Sequence, residues 1–314
     1  MEKKRFFLKG IGFVLLFVLL FAALCVASAF SPVREMVAQL TDTGDFLDQG
    51  PSHEIVTKIE KVQEGSGATK LLIGDSVCNH MFAEYEEMNP DYIVAAGNRG
   101  VGMSGQYVLT RLFLDTHPDA EAVYLVITTN TLITGYETQF GYQYSVTPFL
   151  RTDTLGLMDE ESLSDMRSVY GGFVTDKKAA LLMEDSPVLK KLYLNLLNKY
   201  KPAGIKAEIP DTVVRNIIRI HDLCKERGAT LYLIPGPVAD SSERRELEKT
   251  LEEKYGETKL AEVYPDFYGN MLYYPAEYFS DGVHPDRNSG MIDDMIREMQ
   301  AVNHCLEDYT IDEQ

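Results

Sequence analysis

A serine that directly follows a short apolar run is the first residue whose surroundings could support chemistry. Residues 70–73 have strand character, and they lead through Gly74 and Asp75 to Ser76. The carboxyl ends of parallel strands are where α/β proteins place their ligand sites. A helix that starts just after Ser76 would direct free backbone N–H groups toward an anion forming on a bound carbonyl. The pattern therefore predicts a nucleophilic serine at this edge of a sheet.

An aspartate and a histidine near the C-terminus could activate that serine. Asp281 precedes His284 by three residues, across a tight turn that contains a glycine. At this spacing the carboxylate can accept a hydrogen bond from Nδ1 of the imidazole, and Nε2 stays free to take the proton of a serine hydroxyl. We therefore predict catalytic roles for Ser76, His284 and Asp281, as nucleophile, base and orienting carboxylate.

Two titratable neighbours of Ser76 are assigned other roles. Asp75 is adjacent to the serine, and adjacent side chains of an extended segment point to opposite faces of a sheet. We expect Asp75 to be structural. His80 follows Ser76 by four residues and would share its helical face, so it is the alternative base if Asp281 and His284 lie elsewhere.

The order of these motifs, at opposite ends of one α/β domain, resembles the SGNH (GDSL-like) hydrolases. That family has four sequence blocks that supply Ser, Gly, Asn and His, and the resemblance spans about residues 69–299. It implies a three-layer α/β/α, flavodoxin-like fold with a mostly parallel sheet. It also implies ester chemistry that needs neither a metal nor a cofactor.

The two middle blocks of the family have candidates that would complete an oxyanion hole with the N–H of Ser76. The glycine-rich residues 97–105 resemble the block that contributes a glycine N–H at a helix start. We choose Gly105 because we expect the helix to begin there, with Gly102 as second choice. Asn130 matches the asparagine block, and its amide would be the third donor. The alternatives are a strand-to-helix turn without a ligand and, for Asn130, a turn cap.

The residues around Asn130 depart from the family's pattern. The family usually has Gly-x-Asn-Asp, whereas this chain has Thr128 and Thr131 at the flanking positions. The departure affects the local turn and the hydrogen bonds that would support the asparagine.

The elements that must position these residues are visible as alternating apolar patterns, which are typical of a parallel α/β sheet. Strand character is found at residues 70–73, 92–96, 122–128 and 230–234, and helical spacing at 106–116, 213–224 and 291–299. The alternation lapses over residues 131–206, so we predict an insertion or cap there, with an amphipathic helix at 188–200. Its aromatic residues could stack on sugar rings, although core packing is the favoured explanation; they are Tyr136, Phe140, Tyr142, Tyr144 and Phe149.

Charge and cysteine content exclude other classes of function. The formal net charge of −18 disfavours nucleic acid as a partner, because phosphates would be repelled. Four cysteines, Cys25, Cys78, Cys224 and Cys305, lack the paired spacing of metal or dithiol sites.

The N-terminus predicts a membrane anchor. Residues 11–30 are apolar and long enough to cross a bilayer. The basic flank of residues 3–9 should remain in the cytoplasm, which places the rest of the chain outside. A cleaved signal peptide is the alternative, since Ala27-Ser28-Ala29 has a small-x-small form. We therefore divide the chain into a basic tail (1–10), an anchor (11–30), a stalk (31–66), the SGNH-like domain (67–304) and an acidic, frayed tail (305–314).

The resulting functional hypothesis is an extracytoplasmic serine esterase that removes acyl groups, often acetyl, from an envelope glycan or a small ester. One alternative is an O-acyltransferase that receives its acyl group from an integral-membrane partner. Another is a catalytically silent, glycan-binding or assembly protein on the same fold.

Overall fold

The computed structural model of the chain describes residues 2–28, 32–33, 36, 51–97, 102–137, 149, 152–176, 178, 186, 188 and 206–311. Within these ranges the chain is an α/β protein with a parallel sheet and one apolar N-terminal helix.

The central sheet contains the four strands that the apolar runs predict. They are β1 (Lys70–Gly74), β2 (Tyr92–Val94), β3 (Ala122–Ile127) and β4 (Thr230–Pro235). Their order is β2-β1-β3-β4, and every pairing is parallel. Parallel pairing brings the carboxyl ends of β1 and β3 side by side, with Gly74 opposite Val126. A second, two-stranded parallel sheet joins β5 (Val238–Asp240) to β6 (Tyr273–Pro275), and the sequence pattern did not predict it.

Helices precede, connect and follow these strands. The described α-helices are α1 (Glu2–Ala27), α2 (Pro51–Gln63), α3 (Ser76–Phe82), α4 (Met103–Thr116), α5 (Thr129–Leu132), α6 (Thr152–Leu155), α7 (Glu160–Tyr170), α8 (Asp211–Glu226), α9 (Ser242–Gly256), α10 (Lys259–Val263) and α11 (Ile292–Asn303). Short 3-10 helices cover Ala83–Met88, Gly172–Thr175, Ala276–Tyr278 and Arg287–Ser289. The helices predicted at 106–116, 213–224 and 291–299 are confirmed as α4, α8 and α11. Except for residue 188, the helix predicted at 188–200 lies outside the described residues.

Alternating side chains of the strands enter two different hydrophobic clusters. Leu71 and Ile73 of β1 pack in one cluster, which includes residues of α2, α4 and α8. Leu72 packs in the other, with residues of α3 and α11. Because successive side chains of a strand point to opposite faces of a sheet, each cluster belongs to its own face. The fully apolar strands are explained by this burial on both sides.

Helix α2 corrects the prediction of a stalk over residues 31–66. Its apolar residues Ile55, Ile59 and Val62 are at most 1% exposed, and they belong to the same cluster as Leu71. The carbonyl of Val62 also accepts a hydrogen bond from Thr116 Oγ1 at 2.7 Å. The stalk prediction is therefore wrong for residues 51–63, because their helical apolar face packs on the domain.

The C-terminal segment corrects a second boundary. Leu306, Tyr309 and Ile311 are buried against the cluster that contains Leu72, and Tyr309 Oη donates a hydrogen bond to the carbonyl of Phe82 at 2.6 Å. The prediction of a frayed acidic tail is wrong as far as residue 311. The acidic residues of this segment alternate with apolar residues that pack on the sheet, and the acidic content alone did not indicate that packing.

The described part of the predicted cap contains α6, α7 and one 3-10 helix. Tyr136 and Phe149 are buried, at 5% and 0% exposure, so core packing is confirmed for these two aromatic residues. Phe140, Tyr142 and Tyr144 lie outside the described residues.

Helix α1 carries the candidate membrane span. Residues Lys9–Ala27 have a mean hydropathy of 2.9 and are almost entirely exposed, at 6% buried. By length and composition this helix could cross a bilayer.

Candidate active site

The turn between β1 and α3 places Ser76 at the first position of a helix. It depends on Gly74, whose φ is +156°. A Cβ atom at this position would lie 1.9 Å from the carbonyl oxygen of Val126 on β3. Only glycine allows this close approach of the two strands, so Gly74 determines where the serine emerges from the sheet.

Asp75 organises the turn from a buried position, with 3% of its surface exposed. One carboxylate oxygen, Oδ1, caps α3 by accepting from the N–H of Val77 at 2.9 Å. The other oxygen, Oδ2, accepts from the N–H and hydroxyl of Thr128, at 2.8 and 2.9 Å, and from the hydroxyl of Thr131 at 2.5 Å. The structural role predicted for Asp75 is confirmed. The two threonines that depart from the family's pattern are its partners.

The structure brings Ser76, His284 and Asp281 together in one chain of hydrogen bonds. The distance from His284 Nε2 to Ser76 Oγ is 2.8 Å, and that from His284 Nδ1 to Asp281 Oδ2 is 2.7 Å. The serine and the histidine are 208 residues apart in sequence. The other oxygen of Asp281 accepts from the backbone N–H groups of Val283 and His284, at 3.0 and 2.9 Å.

These contacts set the protonation of the aspartate. Partial burial works to raise the pKa of Asp281, but the hydrogen bonds from the backbone and side chain of His284 and from the N–H of Val283 outweigh it, and the pKa is lowered. Asp281 is therefore a carboxylate at neutral pH. A carboxylate can only accept, so Nδ1 of His284 carries the proton, and Nε2 can accept one from Ser76.

His80 lies beside this chain of hydrogen bonds and does not replace His284 in it. Its ring lies 5.1 Å from that of His284 between centroids, at an interplanar angle of 36°. Burial, followed by the charges of His284 and Arg287, lowers the pKa of His80 below its ordinary value of 6.5. His80 is thus neutral at pH 7. The imidazole that bonds Ser76 is that of His284. This contact does not support the alternative in which His80 is the base.

The predicted glycine donor needs a correction. Helix α4 begins at Met103, with Gly102 as its N-cap, so the expectation that the helix begins at Gly105 is wrong. The N–H of Gly105 donates to the carbonyl of Gly102 at 2.8 Å, inside the first turn. That bond occupies the donor that an oxyanion would need. Gly102, the second choice, stands directly before the helix.

Asn130 lies in α5, between the two threonines that bind Asp75. Its Oδ1 accepts a hydrogen bond from Nη1 of Arg244 at 3.0 Å. The N–H of Ser76, as the first of α3, has no acceptor in a preceding turn of that helix. The oxyanion roles of Ser76 and Asn130 stay predictions.

Sequence patterns missed three residues that connect these elements. Gln106 of α4 is fully buried, and its Nε2 donates to the carbonyl of Gly74 at 2.8 Å. Arg244 and Glu248 of α9 hold the segment that carries Asn130. The signal for them is weak, since an Arg and a Glu four residues apart are ordinary on an exposed helix.

No protein-family model matches the chain, and neither a curated protein nor a solved structure is found to be similar to it. Among the residues that the structure describes, no group of His, Cys, Asp and Glu side chains could hold a metal ion. The interpretation of the site therefore depends on the geometry of this chain alone.

Proposed function

We propose that the chain is a serine esterase of the SGNH type that hydrolyses O-acyl esters. The observation that carries the proposal is the continuous hydrogen-bonded chain from Asp281 through His284 to Ser76. These three residues have the types, the order of contacts and the distances that acyl transfer by a serine requires.

The finer assignment of the fold belongs to the same proposal. The strand order β2-β1-β3-β4 corresponds to the first four strands of the flavodoxin-like order 2-1-3-4-5. Apolar clusters on the two faces of the sheet support a three-layer α/β/α arrangement. Ser76 follows the carboxyl end of β1, next to β3, which is where such sheets bind ligands.

In the proposed reaction, Ser76 Oγ attacks the ester carbonyl and its proton passes to Nε2 of His284. The N–H of Ser76, the glycine turn at Gly102 and the amide of Asn130 would stabilise the oxyanion. The imidazolium, held by Asp281, then protonates the leaving alcohol. Water activated by His284 completes the cycle by hydrolysing the acyl-enzyme.

The proposed location is outside a membrane, with α1 as the anchor and the basic residues before it in the cytoplasm. A domain in that position would meet acylated envelope glycans or small esters. We therefore propose an O-acyl ester, such as an acetylated glycan, as the substrate class.

The test uses the detergent-solubilised full chain, with p-nitrophenyl acetate as substrate and a fluorophosphonate probe as label. Ser76→Ala should lose at least about 1,000-fold in kcat/KM and all labelling, because the nucleophile is gone. Ser168→Ala is the control, since Ser168 is exposed on α7 and its hydroxyl donates to the carbonyl of Asp165 in the same helix. A wild-type chain that neither reacts nor labels would contradict the proposal and favour the silent binding protein.

The O-acyltransferase is the second candidate, and the membrane-length helix α1 favours it by allowing a membrane partner to supply the acyl group. Both candidates share the acyl-enzyme. An acyl-Ser76 adduct that is stable in water but discharged by a sugar hydroxyl would distinguish the transferase from the esterase.

A further inference from the structure

Arg244 makes a set of contacts at the edge of the candidate site that the proposed reaction does not by itself explain. Its guanidinium donates from Nη1 to Asn130 Oδ1 at 3.0 Å and from Nη2 to Thr129 Oγ1 at 2.9 Å. Its Nε lies 2.8 Å from Oε1 of Glu248. One side chain on α9 thus holds two consecutive residues of α5.

The contact with Arg244 determines which way the amide of Asn130 faces. A guanidinium has five N–H donors and no acceptor, so the amide atom next to it must be the oxygen. The NH₂ group of Asn130 is then turned away from Arg244, and no hydrogen bond from it to another described residue is found. A hydrogen bond from a charged donor is also stronger than one between neutral groups, so it holds this orientation firmly.

Arg244 is itself held by a buried partner. Glu248 is 2% exposed, and its Oε1 accepts a hydrogen bond from the hydroxyl of Thr129 at 2.6 Å. The four side chains therefore form one connected group. Arg244 of α9 bonds Asn130 and Thr129 of α5, and Glu248 of α9 bonds Thr129 and forms an ion pair with Arg244. Such a set restricts each member to one rotamer.

The position of Arg244 on α9 is unfavourable for the helix alone. Ser241 is the N-cap, and its hydroxyl accepts from the N–H of Arg244, so the arginine lies in the first turn. A cation in the first turn opposes the helix dipole. The contacts with Asn130, Thr129 and Glu248 outweigh that local cost.

We propose that Arg244 is a positioning residue that fixes the amide of Asn130 as an oxyanion donor, with Glu248 holding Arg244 in place. The inference rests on the proposed function, since it assigns Asn130 to the oxyanion hole. The hydroxyls of Thr128 and Thr131, on either side of Asn130 in sequence, are bonded to Asp75, whereas the charged contact to the Asn130 amide comes from Arg244.

The test is a double-mutant cycle on the full chain in detergent. Arg244→Met should lower kcat with p-nitrophenyl acetate, and the rate of fluorophosphonate labelling, by about 10- to 100-fold with KM nearly unchanged. In the Asn130→Ala background the same substitution should cost less than about 3-fold, because the group that it positions is absent. Equal losses in both backgrounds, or a loss confined to KM, would overturn the inference.

Arg245→Met is the matched control. Arg245 is the next residue of the same helix, is exposed, and pairs with Asp240. It should leave kcat and labelling unchanged. If Arg244→Met does not fold, Arg244→Lys takes its place in the cycle, since it keeps a cation beside Glu248 but cannot bond Asn130 and Thr129 together.

The outcomes separate the two proposals. If the wild type is labelled and Ser76→Ala is not, the esterase chemistry stands whatever the Arg244 variants do. If the wild type is not labelled, the proposed function fails and the inference about Arg244 fails with it.

Discussion

At the scale of single residues, two histidines compete for one role, and hydrogen bonding separates them. His284 bonds both Ser76 and Asp281, whereas His80 packs against the ring of His284. A general base must reach the proton that it removes, so the hydrogen bond to Ser76 supports His284 over His80 as the proposed base. The lowered pKa of His80 has a further consequence, because a neutral His80 at pH 7 would not oppose the imidazolium that the proposed reaction forms on His284.

The first prediction compares the two imidazoles. His284→Ala should reduce kcat for p-nitrophenyl acetate by about 1,000-fold or more, because it removes the imidazole that bonds the Ser76 hydroxyl. His80→Ala should reduce it less than about 10-fold, and its pH–rate profile above pH 6.5 should match that of the wild type, since His80 is already neutral there. Steady-state rates from pH 5 to 9 measure both. A larger loss in His80→Ala than in His284→Ala would reverse the assignment.

At the scale of elements, the site depends on how closely β1 and β3 approach each other. Gly74 allows the contact with Val126. Asp75 then connects the start of α3 to Thr128, which directly follows β3, and to Thr131 of α5. One turn therefore positions Ser76 and, through α5, Asn130. The packing of two neighbouring strands thus determines where Ser76 and Asn130 lie.

The second prediction concerns Gly74→Ala. The added methyl group would lie 1.9 Å from the Val126 oxygen and 2.8 Å from Cys78 Cβ, so the strands must separate. We expect the free energy of unfolding to fall by more than about 2 kcal/mol and labelling of Ser76 to slow. Denaturant unfolding and labelling rates measure the two effects.

Gly67→Ala is the control for that substitution. A Cβ at Gly67 would meet nothing within 4 Å, so its stability and labelling should stay close to those of the wild type. If Gly74→Ala is as stable and as reactive as Gly67→Ala, the close approach of the strands is not what positions the serine.

At the scale of the whole molecule, segments from both ends of the described domain pack on the two faces of the central sheet. Helix α2 covers one face, and the residues after α11 cover the other. Asp308 ties the C-terminal segment to the sheet through an ion pair with Lys70 and a hydrogen bond from the hydroxyl of Tyr92. Burial works to raise the pKa of Asp308, but the hydrogen bonds from Lys70 and Tyr92 prevail and lower it.

The third prediction is the pH dependence of that attachment. A carboxyl whose pKa is lowered by folding stabilises the fold above its unfolded pKa, and this contribution is lost as the pH falls through the folded pKa. Asp308→Asn should therefore be less stable than the wild type at pH 7, by about 0.5 to 1 kcal/mol because the pair is partly exposed. The difference should shrink below about pH 4.

Urea unfolding at a series of pH values measures that difference. Glu307→Gln removes the same charge from an exposed neighbour and serves as the control. A constant difference between Asp308→Asn and the wild type from pH 7 to 3 would contradict the ionic origin of the attachment.

The sequence by itself determined the features that depend on local patterns. Apolar runs located the four strands of the central sheet, and the turn chemistry around Gly74 and between Asp281 and His284 indicated which residues could react. Burial periodicity and turn geometry extend over a few residues, so they are visible without the fold.

Only the tertiary structure decided which distant groups meet. It brought Ser76 into hydrogen-bonding distance of His284, 208 residues away in sequence. It also showed that the hydroxyls of Thr128 and Thr131 donate to Asp75 and that Arg244 bonds Asn130. It further showed that α4 starts at Met103, which removes the reason for choosing Gly105. These outcomes depend on where strands and helices place side chains that are remote in sequence, and no local pattern encodes that placement.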